Sequence, residues 1–136
     1  MKGTKLEGDT VAARLRRARL AKGMTIARLA EIARLSVSTV TDAEGGHVMP
    51  SLPVLRKLSR VLGVSIAYLG CFEGLPEETL GQRIRKARLC RGLMKVEFAQ
   101  VLGVNVKTLR EWESDKRKPS TKNLVMLREH LHIALE

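Results

Sequence analysis

Aromatic residues are nearly missing from this chain: one Trp, one Tyr and two Phe among 136 residues. A packed interior must therefore be aliphatic, and 44% apolar residues supply enough Leu, Val, Ile, Ala and Met to build one. Small helical domains suit that supply better than sandwiches or barrels. Cysteine is equally scarce. Cys71 and Cys90 are too few and too far apart for a disulfide framework or a metal motif, which leaves them as reduced packing residues. His130 and His132, two apart, face different ways on a helix, so no metal is expected. No apolar run approaches the ~18 residues of a membrane span, and the opening MKGTKLEGDT lacks the apolar centre of a signal peptide. The expectation is a soluble, cytoplasmic protein with no membrane partner. No nucleophile, base and orienting group recur at a recognisable spacing, and no Gly-rich phosphate loop occurs, so neither an enzyme nor a cofactor is expected.

Acidic residues are also in short supply. Against 25 Lys and Arg stand 14 Asp and Glu, a formal net charge of +11 that calls for a polyanionic partner, nucleic acid first.

Taken in order, residues 1–10 are polar, carry Gly3 and Gly8, and read as a flexible arm. VAARLRRARLAKG then places Val11, Leu15 and Ala18 inward and arginines outward, and stops at Gly23. Thr25 caps a second helix to about Ala33, and Ser36 a third through Glu44, ended by Gly45-Gly46. LPVLRKLSRVLG is a fourth amphipathic helix and SIAYL a short fifth. Then the pattern restarts. With Arg83 laid on Arg14, an offset of 69 residues, the halves align without a gap: RLRRARLAKGM over RIRKARLCRGL, Ala30 on Ala99, Thr39 on Thr108, Pro50-Ser51 on Pro119-Ser120. This predicts a first domain over 11–70, a linker over 71–79 and a second domain over 80–136. Thr79 caps the helix that opens the second copy. That copy ends at LHIALE, where a fifth helix would only be starting, so Leu131, Ile133 and Leu135 are candidates to dock on the partner half or on another subunit.

One stretch of the second copy stands out, LGVNVKTLREWESDKRKPS. At 3.6 residues per turn, Leu109 and Trp112 share one face while Lys107, Arg110 and Glu111 point away. Asn105 is a good N-cap. Beyond the helix come Lys116-Arg117-Lys118 and then Pro119, which cannot continue it.

Each half resembles the Cro and phage-repressor type of helix-turn-helix domain, the XRE family. The second half carries its run of motifs in order: GQRIRKARLCRGL, FAQVLGVN, LREWES and KRKPS. The resemblance implies an all-α chain of two tandem lambda-repressor-like domains, each of about five short helices, whose third helix enters the major groove while the second crosses the backbone. Gly103 permits the turn between them, since no Cβ opposes a positive φ. Carried over position by position, Val106, Lys107 and Glu111 are the base readers, with Arg110 one turn on from Val106. Lys107 or Arg110 would donate to guanine, Glu111 accept from cytosine N4, and Val106 or the Thr108 methyl pack on thymine. Lys95, Asn105, Lys116, Arg117 and Lys118 would meet phosphates. Arg19 with Glu44, and Arg88 with Glu113, match a structural pair of the family that clamps the third helix to the first.

The first copy departs from this. Its third helix, SVSTVTDAE, offers Val37, Ser38 and Asp42 at the base-reading positions and no cation, Ile26 replaces the phosphate-contacting Gln, and GGHVM replaces the basic loop. Arg34 stands where the family has Gly, so that turn must change shape or carry strain. Ser38, Thr39 and Thr41 can still hydrogen-bond DNA, and Arg28 and Arg34 can approach the backbone. Residues 1–70 nevertheless carry 12 cations against 5 acids, mostly on the first and fourth helices, and residues 71–136 carry 13 against 9.

The reading is a sequence-specific double-stranded DNA-binding transcriptional regulator, with repression as the expected mode and a homodimer left open. Its rival is an adaptor or antitoxin that uses the same fold to hold a partner protein, with DNA secondary.

Overall fold

A computed structural model describes residues 9–133. Among the described residues every regular element is helical: α1 (Val11–Ala21), α2 (Ile26–Ala33), α3 (Val37–Gly45), α4 (Leu52–Leu62), α5 (Ile66–Leu69), α6 (Leu80–Cys90), α7 (Lys95–Leu102), α8 (Val106–Glu113) and α9 (Thr121–Leu131), with one 3-10 turn at Phe72–Gly74. No helix among them is long and apolar enough to cross a membrane. The chain forms two compact units, one closing at Phe72 and the other opening at Glu73.

Hydroxyl caps set the helix starts. Thr10, Thr25, Ser36, Ser51, Ser65, Thr79 and Ser120 each accept a hydrogen bond from the backbone N–H three residues on, satisfying a donor the helix itself cannot. Thr10, the last residue of the stretch read as an arm, thus belongs to α1, while residues 1–8 lie outside the described ones. Met94 opens α7 without a hydroxyl, and there the Glu97 carboxylate accepts from the Met94 N–H at 2.8 Å.

The first unit packs Leu15, Leu29, Val40, Leu55, Leu58 and Leu69 into an aliphatic interior, and Phe72 joins it. The second packs Ile84, Phe98, Leu109, Trp112, Leu127 and Ile133. Burying each such side chain contributes about 1.5–3 kcal/mol. Two expectations are corrected here. Leu131 and Ile133 belong to their own unit: Ile133 is buried in its core and Leu131 packs against that core, because the left-handed His132 (φ 56°) turns the chain back over it. Leu135 lies outside the described residues. Nor do all the arginines of α1 face out. Arg14 and Arg19 are buried, the first donating to the Tyr68 carbonyl at 2.7 Å with its guanidinium over the Tyr68 ring at 4.7 Å. A carbonyl and a ring face replace the water that an interior arginine gives up.

The repeat also exposes a reciprocal exchange. In the second unit, a Cβ on Gly81 would stand 2.5 Å from the Trp112 carbonyl oxygen and 2.8 Å from the Asp115 carboxyl carbon. The absence of that Cβ lets Asp115, itself left-handed (φ 61°), accept from the Gly81 N–H at 2.9 Å and from the Thr79 hydroxyl at 2.7 Å. In the first unit the two positions are Ala12 and Gly46, so the Cβ has changed sides.

Candidate nucleic-acid interface

The connection from α7 to α8 is a tight left-handed stop. Gly103 takes φ 72° and ψ 30°, its N–H bonds to the Gln100 carbonyl, and the next N–H, of Val104, bonds to the Ala99 carbonyl at 3.0 Å. The first unit makes the same turn. Arg34 takes φ 60° and ψ 46°, with the Leu35 N–H on the Ala30 carbonyl at 2.9 Å. Of the two outcomes expected for Arg34, the turn keeps its shape and the residue carries the strain, about 1–2 kcal/mol for a side chain in this region.

Each third helix is bolted down by a buried ion pair. Arg88 meets Glu113 through two bonds, Nε to Oε2 at 2.7 Å and Nη2 to Oε1 at 3.1 Å, and its third nitrogen reaches the Leu93 carbonyl at 3.0 Å. Arg19 does the same with Glu44 at 2.6 and 2.9 Å and with Met24 at 2.8 Å. Donating to Glu44 raises the Arg19 pKa against the opposing effect of burial, so the guanidinium stays charged. Two parallel bonds fix orientation as well as distance, so the angle between first and third helices is set at both ends of the guanidinium.

With Leu109 and Trp112 buried beneath it, α8 turns Lys107 and Arg110 into solvent. Val106 is half-buried against the core and Thr108 is half-buried, so each presents only part of its side chain. The Asn105 carbonyl oxygen Oδ1 accepts from the Lys107 N–H at 2.8 Å, making it the cap of α8. Lys95 is exposed at the start of α7. Lys116, Arg117 and Lys118 are all exposed and are followed by the buried Pro119. The N–H groups of Lys116 and Arg117 both converge on the Glu111 carbonyl, at 2.9 and 3.3 Å, folding this loop back on the end of α8. Arg117 also holds the Glu111 carboxylate at 3.4 Å. Apart from Lys95 on α7, the second-unit residues expected to read bases and those expected to grip phosphate therefore occupy one helix with its cap and the loop attached to it.

The matching surface of the first unit is chemically different. Ser36, Ser38 and Thr39 hydrogen-bond among themselves, Ser36 to Thr39 at 2.7 Å and to Ser38 at 3.2 Å. Arg28 is exposed but paired with Glu31 at 2.9 Å, and Arg34 is exposed at the turn, as is Asp42 on α3. Where the second unit has cations, this one exposes Val48 (60%) and Met49 (54%), with Val37 (52%) on the helix itself. Sequence reasoning missed Asp115 and its hold on Thr79 and Gly81; the exchange of Gly46 for Asp and of Ala12 for Gly across the repeat was the available signal. Both cysteines are free thiols, and burial pushes the Cys90 thiol up, partly offset by Lys86 and Arg91.

Comparison with known proteins bears on the same two surfaces. The family described as Helix-turn-helix matches residues 15–69 and again residues 84–136. The chain belongs to the helix-turn-helix family, of the XRE type, in two tandem copies. It is similar to the uncharacterized HTH-type transcriptional regulator YiaG of Escherichia coli K12, 44% identical over 45 residues, which is 33% of this chain and 47% of that protein. The YiaG proteins of the O6:H1 and O157:H7 strains match to the same extent. The chain thus spans about half the length of the curated relatives it matches. Membership supports a DNA-binding helix-turn-helix protein.

Proposed function

We propose that this tandem helix-turn-helix protein is a cytoplasmic, sequence-specific double-stranded DNA-binding transcriptional regulator, a repressor that occludes polymerase. Its second unit lays α8 in the major groove. The observation that carries this reading is the side-by-side exposure of Lys107 and Arg110 on α8 and of the Lys116–Lys118 loop beyond it, on a helix fixed by the buried Arg88–Glu113 pair. Lys107 and Arg110 donate to guanine, Glu111 accepts from cytosine, and Val106 and Thr108 offer methyl contact to thymine. Lys95, Asn105 and the lysines of the basic loop meet phosphates at the groove edge. A second reader, from a homodimer or from Ser38, Thr39 and Asp42 of the first unit with Arg28 and Arg34 on the backbone, would sit about 34 Å along the duplex.

The test is selection of bound fragments from random duplexes, followed by Lys107→Ala and Arg110→Ala. Each should reduce discrimination between selected and random DNA by about 1–3 kcal/mol. Unchanged discrimination in both variants rejects α8 as the reader.

A second reading is favoured by Val37, Val48 and Met49, whose exposure gives the first unit an apolar rather than cationic face. On that reading the first unit holds a partner protein, in the manner of an adaptor or antitoxin, and DNA binding belongs to the second unit or is secondary. Affinity for random duplex that is weak at every salt concentration would favour it, because phosphate neutralisation must make binding fall steeply with salt.

A further inference from the structure

The half-buried carboxylate of Glu111 poses an electrostatic difficulty for any helix entering the groove of a polyanion. Glu111 lies on α8 one residue from Arg110, and its side chain is 29% exposed. Brought between two phosphate backbones, a bare carboxylate is repelled from both sides. The structure supplies a counter-charge from outside the helix. Arg117 Nη1 lies 3.4 Å from Glu111 Oε1, and the backbone N–H groups of Lys116 and Arg117 are anchored on the Glu111 carbonyl. Backbone and side chain of one residue thus engage the carbonyl and carboxylate of the other. Exposed ion pairs of this kind contribute little to stability, so the pairing is better understood by what it orients.

The first unit shows what happens without it. Asp42 stands at the position of Glu111 and Val48 at that of Arg117, so that loop brings no cation to the carboxylate. The acid is kept in both units, but only the second equips it to approach DNA.

We infer that Arg117 is a positioning residue for base recognition rather than a phosphate contact: it neutralises the Glu111 carboxylate and aims it at a cytosine N4 donor, leaving Lys116 and Lys118 as the cations of this loop that grip the backbone. This rests on α8 being the reading helix. Under it, Arg117 and Glu111 act on one base pair as a unit, and removing either has the same consequence as removing both.

The experiment uses the full chain and fragments selected from random duplex DNA. Glu111→Ala, Arg117→Ala and the double variant are compared with Lys116→Ala and Lys118→Ala, reading the base preference at each position of the selected site and the slope of log affinity against log salt. The expected result is that Glu111→Ala, Arg117→Ala and the double variant lose preference at the same single base pair, on the order of tenfold. Arg117→Lys should restore part of it, and the salt slope should stay that of the parent. Lys116→Ala and Lys118→Ala should instead keep every base preference and flatten the slope by about 0.9 each. A flattened slope with unchanged preferences in Arg117→Ala overturns the inference and returns Arg117 to the phosphate backbone. Failure of the parent chain to enrich any site is a different result: it rejects α8 as the reader, and this inference with it.

Discussion

Arg19 holds Glu44 at 2.6 Å and Arg88 holds Glu113 at 2.7 Å, yet four residues beyond each glutamate the first unit carries Val48 and the second Arg117. The bond lengths at this bolt agree between the units to within two tenths of an ångström, while the loop attached to it is apolar in one and cationic in the other. Residues that set the angle of the third helix are constrained from several sides at once by burial and by paired hydrogen bonds. Residues that face outward answer only to the partner. Differences between the units at outward-facing positions therefore mark partner chemistry, and identities at buried ones mark the fold.

The largest effect should come from breaking the shared part. Glu113→Ala and Glu44→Ala each leave a buried guanidinium without its partner, and each should cost about 3–5 kcal/mol. Urea denaturation of the two variants checks this, and unequal costs would show that one unit tolerates a looser third helix. A smaller effect sharpens the difference between the units. Met49→Lys gives the first unit a cation where the second has Lys118, and should steepen the salt dependence of duplex binding by about 0.9 if that face touches phosphate. An unchanged slope, measured by titration of labelled duplex at several salt concentrations, would confine contact to the second unit. The smallest effect concerns the turn. Arg34→Gly should stabilise the protein by about 0.5–1 kcal/mol, because relief of the left-handed strain exceeds the entropy glycine loses on folding. Gly103→Arg should do the reverse, read from the same denaturation midpoints. A Cβ at Gly103 meets nothing within 4 Å, so only its φ opposes the change.

The helix boundaries were largely legible in the sequence because caps and stops are local. Thr25, Ser36 and Thr79 act within three residues of themselves, and a single chain displays such spacing directly. The repeat added what one copy would not have revealed, the correspondence of the two arginine–glutamate pairs. What escaped was decided over longer distances. Arg14 looked like surface charge, since nothing near it announces the Tyr68 carbonyl, 54 residues away, that receives it. Ile133 looked like a loose apolar tail because its pocket is assembled from α6 to α9. The exposure of Lys107, Arg110 and the loop lysines was legible from helical period and charge, but the direction in which Arg117 points depends on how the loop folds back, and its neighbours in sequence do not encode that visibly. The charge of Arg28 was visible, but not that Glu31, one turn further along the same helix, accepts from it.

The exchange between Gly81 and Asp115 in one unit, and Ala12 and Gly46 in the other, limits how the two units can be recombined. Grafting the cationic SDKRK loop in place of GGHVM would set an aspartate carboxylate against the Ala12 methyl, at a site where its counterpart bonds the bare N–H of Gly81. The loop is portable only together with Ala12→Gly, more than thirty residues upstream. The exchangeable unit in this architecture is thus not a contiguous cassette but a loop plus one atom's worth of space on a different helix.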